Sequence, residues 1–187
     1  MKVEIKPLFH DWEYIKGAAL FTQGLKRVNP VTYNWKRQAV LAEHSPIRVS
    51  QFEITATVPN FVMGHIVRHH QGVEKFVQSL REDITGIPNA EVNRTTETNI
   101  KLVLNIQALI NISRKRMCNN ASTDTRFFWD SVHLEMINLD SAIANAMVPE
   151  CIYRGFCPEF KKCGYSKTKQ FKEKLKEYRM EENNGWK

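Results

Sequence analysis

The stretch from His65 to Arg81 concentrates the groups in this chain best suited to holding an anion: His65, Arg68, His69 and His70 at one end, Ser79 and Arg81 at the other. Guanidinium presents a planar donor fork that matches phosphate, and a serine hydroxyl adds a neutral hydrogen bond. Such a pair of clusters suits a polyanionic ligand such as a nucleotide. The alternative for this window alone is a solvated basic loop.

A second group lies on the run from about Asn99 to Cys118. Ile100, Leu102, Val103, Leu104, Ile106, Leu109, Ile110 and Ile112 cover nearly every side of a helix drawn over it, so the spacing predicts one long buried helix. Asn105, Gln107, Asn111, Arg114, Lys115 and Arg116 share that run, and buried amides and guanidiniums are costly without partners. One buried Asn is ordinary structure. Six such groups on one helix point to a ligand or a subunit interface.

The elements that must position these groups follow from the rest of the chain. Val3 and Ile5 alternate with polar residues in a short strand ending near Pro7. Asp11 caps a helix expected from Trp12 to about Arg27, with Tyr14, Ala18, Leu20, Phe21 and Leu25 as its apolar positions. Asn29-Pro30 opens a second helix that ends near Glu43, before His44-Ser45-Pro46. Ile47 to Val58 is rich in β-branched residues and reads as the best strand. Pro59 starts the helix that delivers Arg68-His69-His70 at its C-terminal end, where cations suit the macrodipole. Residues 82–98 read as irregular, with Thr96 or Thr98 capping the long helix. A further helix is expected from Ala121-Ser122-Thr123-Asp124 to about Met147, with Phe127, Phe128, Val132, Met136, Ile137, Leu139 and Ile143 in the core. Lys167 to Glu182 carries Phe171, Leu175 and Tyr178 on one stripe, a short docked or frayed helix.

Size and composition bound the reading. A chain of 187 residues, 42% apolar and 25% charged, suits one substantial core with an accessory tail. The expected division is a domain over residues 1–165 and a charged tail over 166–187. No apolar run is long enough to cross a bilayer, and no signal-peptide pattern opens the chain, so no membrane contact is expected. Cys118, Cys151, Cys157 and Cys163 are too few for a disulfide framework, which favours reduced thiols in a cytoplasm. With His133, the last three could form a Cys3His zinc site, but their five-residue gaps are unlike the tight pairs of zinc fingers. Free thiols and no metal are the expectation. The balance of 27 basic against 20 acidic residues, +7, favours an acidic partner without choosing among nucleotide, nucleic acid and anionic surface.

Three segments stand in a telling order: Ser45-Pro46 before the best strand, Arg68-His69-His70 through Ser79-x-Arg81, and Asn105-x-Gln107-x-x-x-Asn111-x-x-x-x-Arg116. Together they resemble the flavin-dependent thymidylate synthase family. There, Ser/Thr-Pro-Phe-Glu enters a strand, Arg-His-Arg precedes Ser-x-Arg, and a later helix carries Asn-x-Arg-x-x-x-Asn before a terminal Leu-Arg. The resemblance covers about residues 40–125. It implies an α+β fold, an antiparallel sheet flanked by helices with the long buried helix, assembled as a homotetramer with sites shared between subunits. It also implies methylation of dUMP to dTMP, with methylenetetrahydrofolate as one-carbon donor, NADPH as reductant and FAD as cofactor. By position, Ser45, Arg68, His69, His70, Asn105, Gln107 and Asn111 would contact FAD. His65, Ser79, Arg81 and Arg94 would bind the nucleotide. Arg116 would contact the uracil and stabilise the charge that develops there, the catalytic role.

The chain also departs from that pattern. His70 stands for the second Arg, Arg48 for the Glu and Gln107 for an Arg, and one extra residue precedes Ser79. These departures favour, as an alternative, a different change to a pyrimidine nucleotide, such as hydroxymethylation. The charge and the lysine-rich tail favour another, a non-catalytic basic module that binds nucleic acid.

Overall fold

The computed structural model describes residues 2–26 and 29–179. A four-stranded antiparallel sheet forms its centre, in the order β1 (Val3–Phe9), β2 (Gln51–Pro59), β4 (Glu97–Asn105), β3 (Val73–Val77). Alternation puts Phe52, Ile54, Ala56 and Val58 of β2 on one face with Ile100, Leu102 and Leu104 of β4, all buried. The opposite face is polar. There Glu53 receives Lys6 at 2.9 Å and Lys101 at 3.2 Å, which locks β1, β2 and β4 in register.

The helices are α1 (Trp12–Phe21), α2 (Tyr33–Leu41), α3 (Asn60–Ile66), α4 (Glu82–Thr85), α5 (Ile106–Arg116), α6 (Thr123–Leu139), α7 (Ser141–Ala144), α8 (Glu150–Arg154) and α9 (Lys169–Arg179); α4 buries no side chain, and α9 packs in a separate cluster with α8 rather than on the sheet. Helix α6 spans the core with Phe128, Trp129, Val132 and Met136 fully buried. Each large side chain so removed from water contributes about 1.5–3 kcal/mol. The Trp129 indole donates to Ser113 Oγ at 2.8 Å, and that hydroxyl donates to the Leu109 carbonyl at 2.7 Å, so α5 and α6 are joined without an orphaned polar group. Helix α9, the last among the described residues, is docked. Phe171 and Tyr178 pack on Val148 and Ile152, and buried Arg37 donates to the Tyr178 carbonyl at 3.2 Å.

The single long buried helix is replaced by two elements. Thr98, Ile100, Leu102 and Leu104 face inward and Asn99 and Lys101 outward, a period of two over β4. Asn105 then turns the chain, its Oδ1 accepting from Ala108 N–H at 2.9 Å as the N-cap of α5. A strand alternating Ile and Leu, followed at once by a buried helix, mimics a helix apolar all round. Thr96 and Thr98 therefore cap nothing.

Other boundaries shift as well. Helix α1 stops at Phe21 and leaves Tyr14, Phe21 and Leu25 exposed; Arg27 lies outside the described residues. Helix α2 starts at Tyr33 with Thr32 as its cap, rather than at Asn29-Pro30. Residues 45–49 wind into a 3-10 turn, so β2 begins at Gln51. Asp140 ends α6 by capping α7, and Phe127, Ile137 and Leu139 are exposed rather than core. Strand β3, which follows the tight turn at Gly72, was not expected at all. Residues 180–182 of the expected tail helix lie outside the described residues.

Candidate active site

Helix α3 ends at Ile66, and residues 67–72 run from its end into β3. This segment touches both ends of α5, which are about 16 Å apart at the usual helical rise. Two different sites form there.

At the C-terminal end, Arg116 donates from Nε to His69 Nε2 at 3.0 Å and from Nη2 to the His65 carbonyl at 2.6 Å. His65 Nδ1 lies 2.6 Å from Thr125 Oγ1, which ties α3 to the first turn of α6. Arg94 stacks over the Phe61 ring at 5.3 Å, and Phe61 in turn meets His65 edge-on. Burial, then the charges of Arg116, Arg68 and Arg94, lower the His65 pKa. Burial, then Arg116, Lys75 and His70, push His69 down to about 4. Burial and the Arg68 charge also lower Arg116. Among the described residues no carboxylate pairs with Arg68, Arg94 or Arg116. Arg116 is half-buried and Arg68 and Arg94 are exposed, so three guanidiniums without a carboxylate stand open beside two neutral imidazoles, an arrangement that can receive an anion.

At the N-terminal end lies a cleft of about 480 Å³ lined by Glu43, Arg48, Gln71, Gly72, Asn105, Gln107 and Asn111. Its volume falls in the lower part of the range of about 300–1,000 Å³ typical of small-molecule sites. Gly72 takes φ +68, and a Cβ there would come within 2.6 Å of the Asn105 amide. Only glycine allows the turn and this approach. Glu43 accepts from Gln107 and from Arg114, and Asn111 Oδ1 accepts from both of them at 3.3 Å. Arg114 also stacks 3.5 Å over Tyr153. Gln107 Oε1 is buried with no partner among the described residues. A buried acceptor without a donor costs about 1–3 kcal/mol, which a ligand N–H or a water in the cleft would offset.

The cleft fits an uncharged heterocycle with an amide-like edge, such as the ring of a flavin. Asn105, Gln107 and Asn111 supply the polar groups, and Arg48 is the one cationic side chain at its wall without a carboxylate partner among the described residues. The Glu43 carboxylate is already neutralised by Arg114, so it does not repel such a ring.

The sequence-expected site residues therefore divide. His65, Arg68, His69, Arg94 and Arg116 come together, and Asn105, Gln107 and Asn111 line the cleft. His70 sits between them, 3.3 Å from Lys75 Nζ. Ser45 is exposed at the start of the 3-10 turn and does not line the cleft; Arg48, one turn on, does. Ser79 and Arg81 lie beyond the far end of β3, where Gln78 pairs with Asn99. Asn99 and Asn105 are six positions apart on β4, about 20 Å in an extended strand. Arg81 is 71% exposed and held by Asp83 at 2.6 Å. These two residues do not line the cleft, and neither is hydrogen-bonded to His65, Arg68, His69, Arg94 or Arg116 among the described residues. Glu43, Gln71 and Gly72 were not among the expected site residues, and Arg114 was read only as one of the polar groups on the buried run. The Gly after Arg-His-His was a visible signal, but Glu43 reaches the cleft only because it takes a left-handed φ of 49 beyond α2.

The sequence matches no protein-family model and no curated protein. Among solved structures, the fold is similar to that of a UMP/dUMP methylase, PolB, from Streptomyces cacaoi, bound with 5-Br dUMP. The TM-score is 0.59 at 11% identity, over 83% of this chain and 96% of that one. The same methylase bound with 5-Br UMP gives 0.57 at 11% identity, over 78% and 93%. At that identity the likeness establishes the fold: this chain has the architecture of the PolB methylase.

Proposed function

We propose that this protein modifies a pyrimidine nucleotide, by flavin-dependent methylation of dUMP to dTMP with methylenetetrahydrofolate and NADPH. The observation that carries the reading is the carboxylate-free cluster of Arg68, Arg94 and Arg116 around neutral His65 and His69. Its support comes from the fold shared with a UMP/dUMP methylase and from the three ordered sequence segments.

In this reading Arg94 and Arg68 hold the phosphate. Arg116, oriented through His69 and the His65 carbonyl, faces the uracil and stabilises negative charge on its carbonyl oxygen as carbon 5 reacts. Neutral His69 keeps the guanidinium pointed without competing for the anion. In the cleft, Gln107 Oε1 accepts from a ring N–H, and Asn105 and Asn111 fix the orientation of the ring. Bound FAD would supply the reducing electrons that complete the methyl group. The sum balances as dUMP, methylenetetrahydrofolate, NADPH and a proton giving dTMP, tetrahydrofolate and NADP+. Ser79 and Arg81, about 20 Å from the cleft at the usual strand rise, act on the nucleotide of a neighbouring subunit in the proposed homotetramer.

PolB is described as acting on UMP as well as dUMP, which favours UMP as a second substrate to test. The deciding experiment incubates the protein with FAD, NADPH, methylenetetrahydrofolate and either nucleotide, then weighs the product. A methyl group gained on the base supports the reading. A hydroxymethyl product keeps the nucleotide but changes the reaction, and unaltered nucleotide with no affinity for it rejects the proposal.

A further inference from the structure

All four cysteines of the chain border one small cavity, although they come from three separate places in the sequence. Cys118 follows the end of α5, Cys151 sits in the first turn of α8, and Cys157 and Cys163 lie on the loop between α8 and the 3-10 turn at Tyr165–Lys167. The cavity measures about 20 Å³. That is room for about one water-sized sphere. His133 is not part of it; its ring lies 3.1 Å from the Ala144 carbonyl. The fold thus replaces the imidazole of a Cys3His set with a fourth thiol, from a residue that spacing alone left aside.

The loop itself lacks the usual means of holding a shape. Residues 156–163 make no backbone–backbone hydrogen bond with any described residue. Phe156 and Phe160 point to solvent, with Phe160 fully exposed. The loop's one tie of this kind is the Asn120 side chain, which donates to the Lys161 carbonyl at 2.6 Å from the segment that also carries Cys118. Gly155 and Gly164 bracket the loop at φ +80 and +86, turns that side-chain-bearing residues rarely adopt. A segment with neither ladder nor core, folded so that its two cysteines meet two others, has the architecture of a metal-clipped knuckle.

We propose that Cys118, Cys151, Cys157 and Cys163 form a structural four-thiolate zinc site that pins the 155–164 loop to the ends of α5 and α8. Among the described residues no three His, Cys, Asp or Glu side chains already surround a common point, so the site closes on the ion by rotation of the cysteine side chains. Binding converts four thiols and a zinc ion into a tetrathiolate of charge −2 and releases four protons. Lys161 and Lys162, on the loop itself, offset part of that charge. Glu150, also at the cavity wall, is already engaged by Lys115 and Arg154 and is not a ligand. The site stands apart from the candidate active site and does not depend on the proposed reaction.

The test uses the full chain expressed with zinc in the medium. Expected are one zinc per chain by elemental analysis, four thiols protected from a disulfide reagent until the metal is stripped, and a thiolate-to-metal charge-transfer band when cobalt replaces zinc. Cys157→Ser together with Cys163→Ser should abolish both metal and band; because the wild-type cobalt spectrum is independent evidence, misfolding of that variant does not blur the result. Metal-free protein whose four thiols react at once, with or without added zinc, would overturn the proposal. So would an intact mass showing that the cysteines are paired as disulfides.

Discussion

Arg116 Nε donates to His69 Nε2 across 3.0 Å, so the imidazole is neutral, with its proton on Nδ1. This pairing has a pH signature. His69 holds its proton only below about 4 in the folded chain. An unfolded histidine does so below about 6.5. Between those values the unfolded state binds more protons, so stability rises with pH. The contribution is complete above about pH 6.5 and is lost as pH falls toward 4. His69→Gln keeps an acceptor for Arg116 but removes the titration. Urea midpoints of the two proteins across pH 4–7 should diverge, the variant showing the flatter profile; parallel profiles would mean that His69 is not held neutral.

Arg116→Lys keeps the charge but cannot reach His69 and the His65 carbonyl with two separate N–H groups. If its main partner charge appears as the uracil reacts, kcat should fall by tenfold or more while KM for the nucleotide changes little, a loss of at least about 1.4 kcal/mol in the transition state. A rise in KM alone would assign Arg116 to ground-state binding.

Arg81 pairs with Asp83 on an exposed surface, an arrangement that adds little to stability. Arg81→Ala should leave the melting temperature unchanged. Its nucleotide affinity should nevertheless fall if a neighbouring subunit uses Arg81 for the phosphate. Unchanged affinity in the assembled protein would remove Arg81 from the site.

Asn105 has two roles that mutation can separate. Asn105→Ala loses the α5 cap and should destabilise by about 1 kcal/mol, whereas Asn105→Ser retains a capping oxygen and should be near wild type. Both remove the carboxamide from the cleft and should weaken ligand binding alike. Gly72→Ala should be worse than either, destabilising by about 1–3 kcal/mol, because a positive φ and the Asn105 amide both exclude its Cβ. Chemical denaturation and ligand titration on the same samples separate these effects.

Much of the fold was legible where one period governed a whole element. The alternation of Val3 and Ile5, the cap at Asp11 and the stripe of Phe171 and Tyr178 each led to a real element. The run from Asn99 to Cys118 misled because a period of two gives way to a helical period at Asn105, a lone cap residue with no Gly or Pro to mark the change. Strand β3 escaped notice because its exposed edge carries Glu74, Lys75 and Phe76, with only Val73 buried. The cationic cluster was legible in residue type, and Arg116 and His69 were named from the motifs, but their pairing across 47 positions required the fold. Ser79 and Arg81 share its window of sequence, but the five residues of β3 separate them from the cleft. The cysteines were read by spacing along the chain, which is blind to Cys118 arriving from α5.

In the proposed reading the Asn105–Gln107–Asn111 cleft takes a flavin beside the nucleotide site. Incubating the protein with excess FAD, removing free cofactor by gel filtration and recording the visible spectrum tests it most directly. Flavin absorbance should elute with the protein, be bleached by NADPH and be much reduced in Gln107→Leu. A colourless protein fraction, with all the flavin in the free pool, would contradict it.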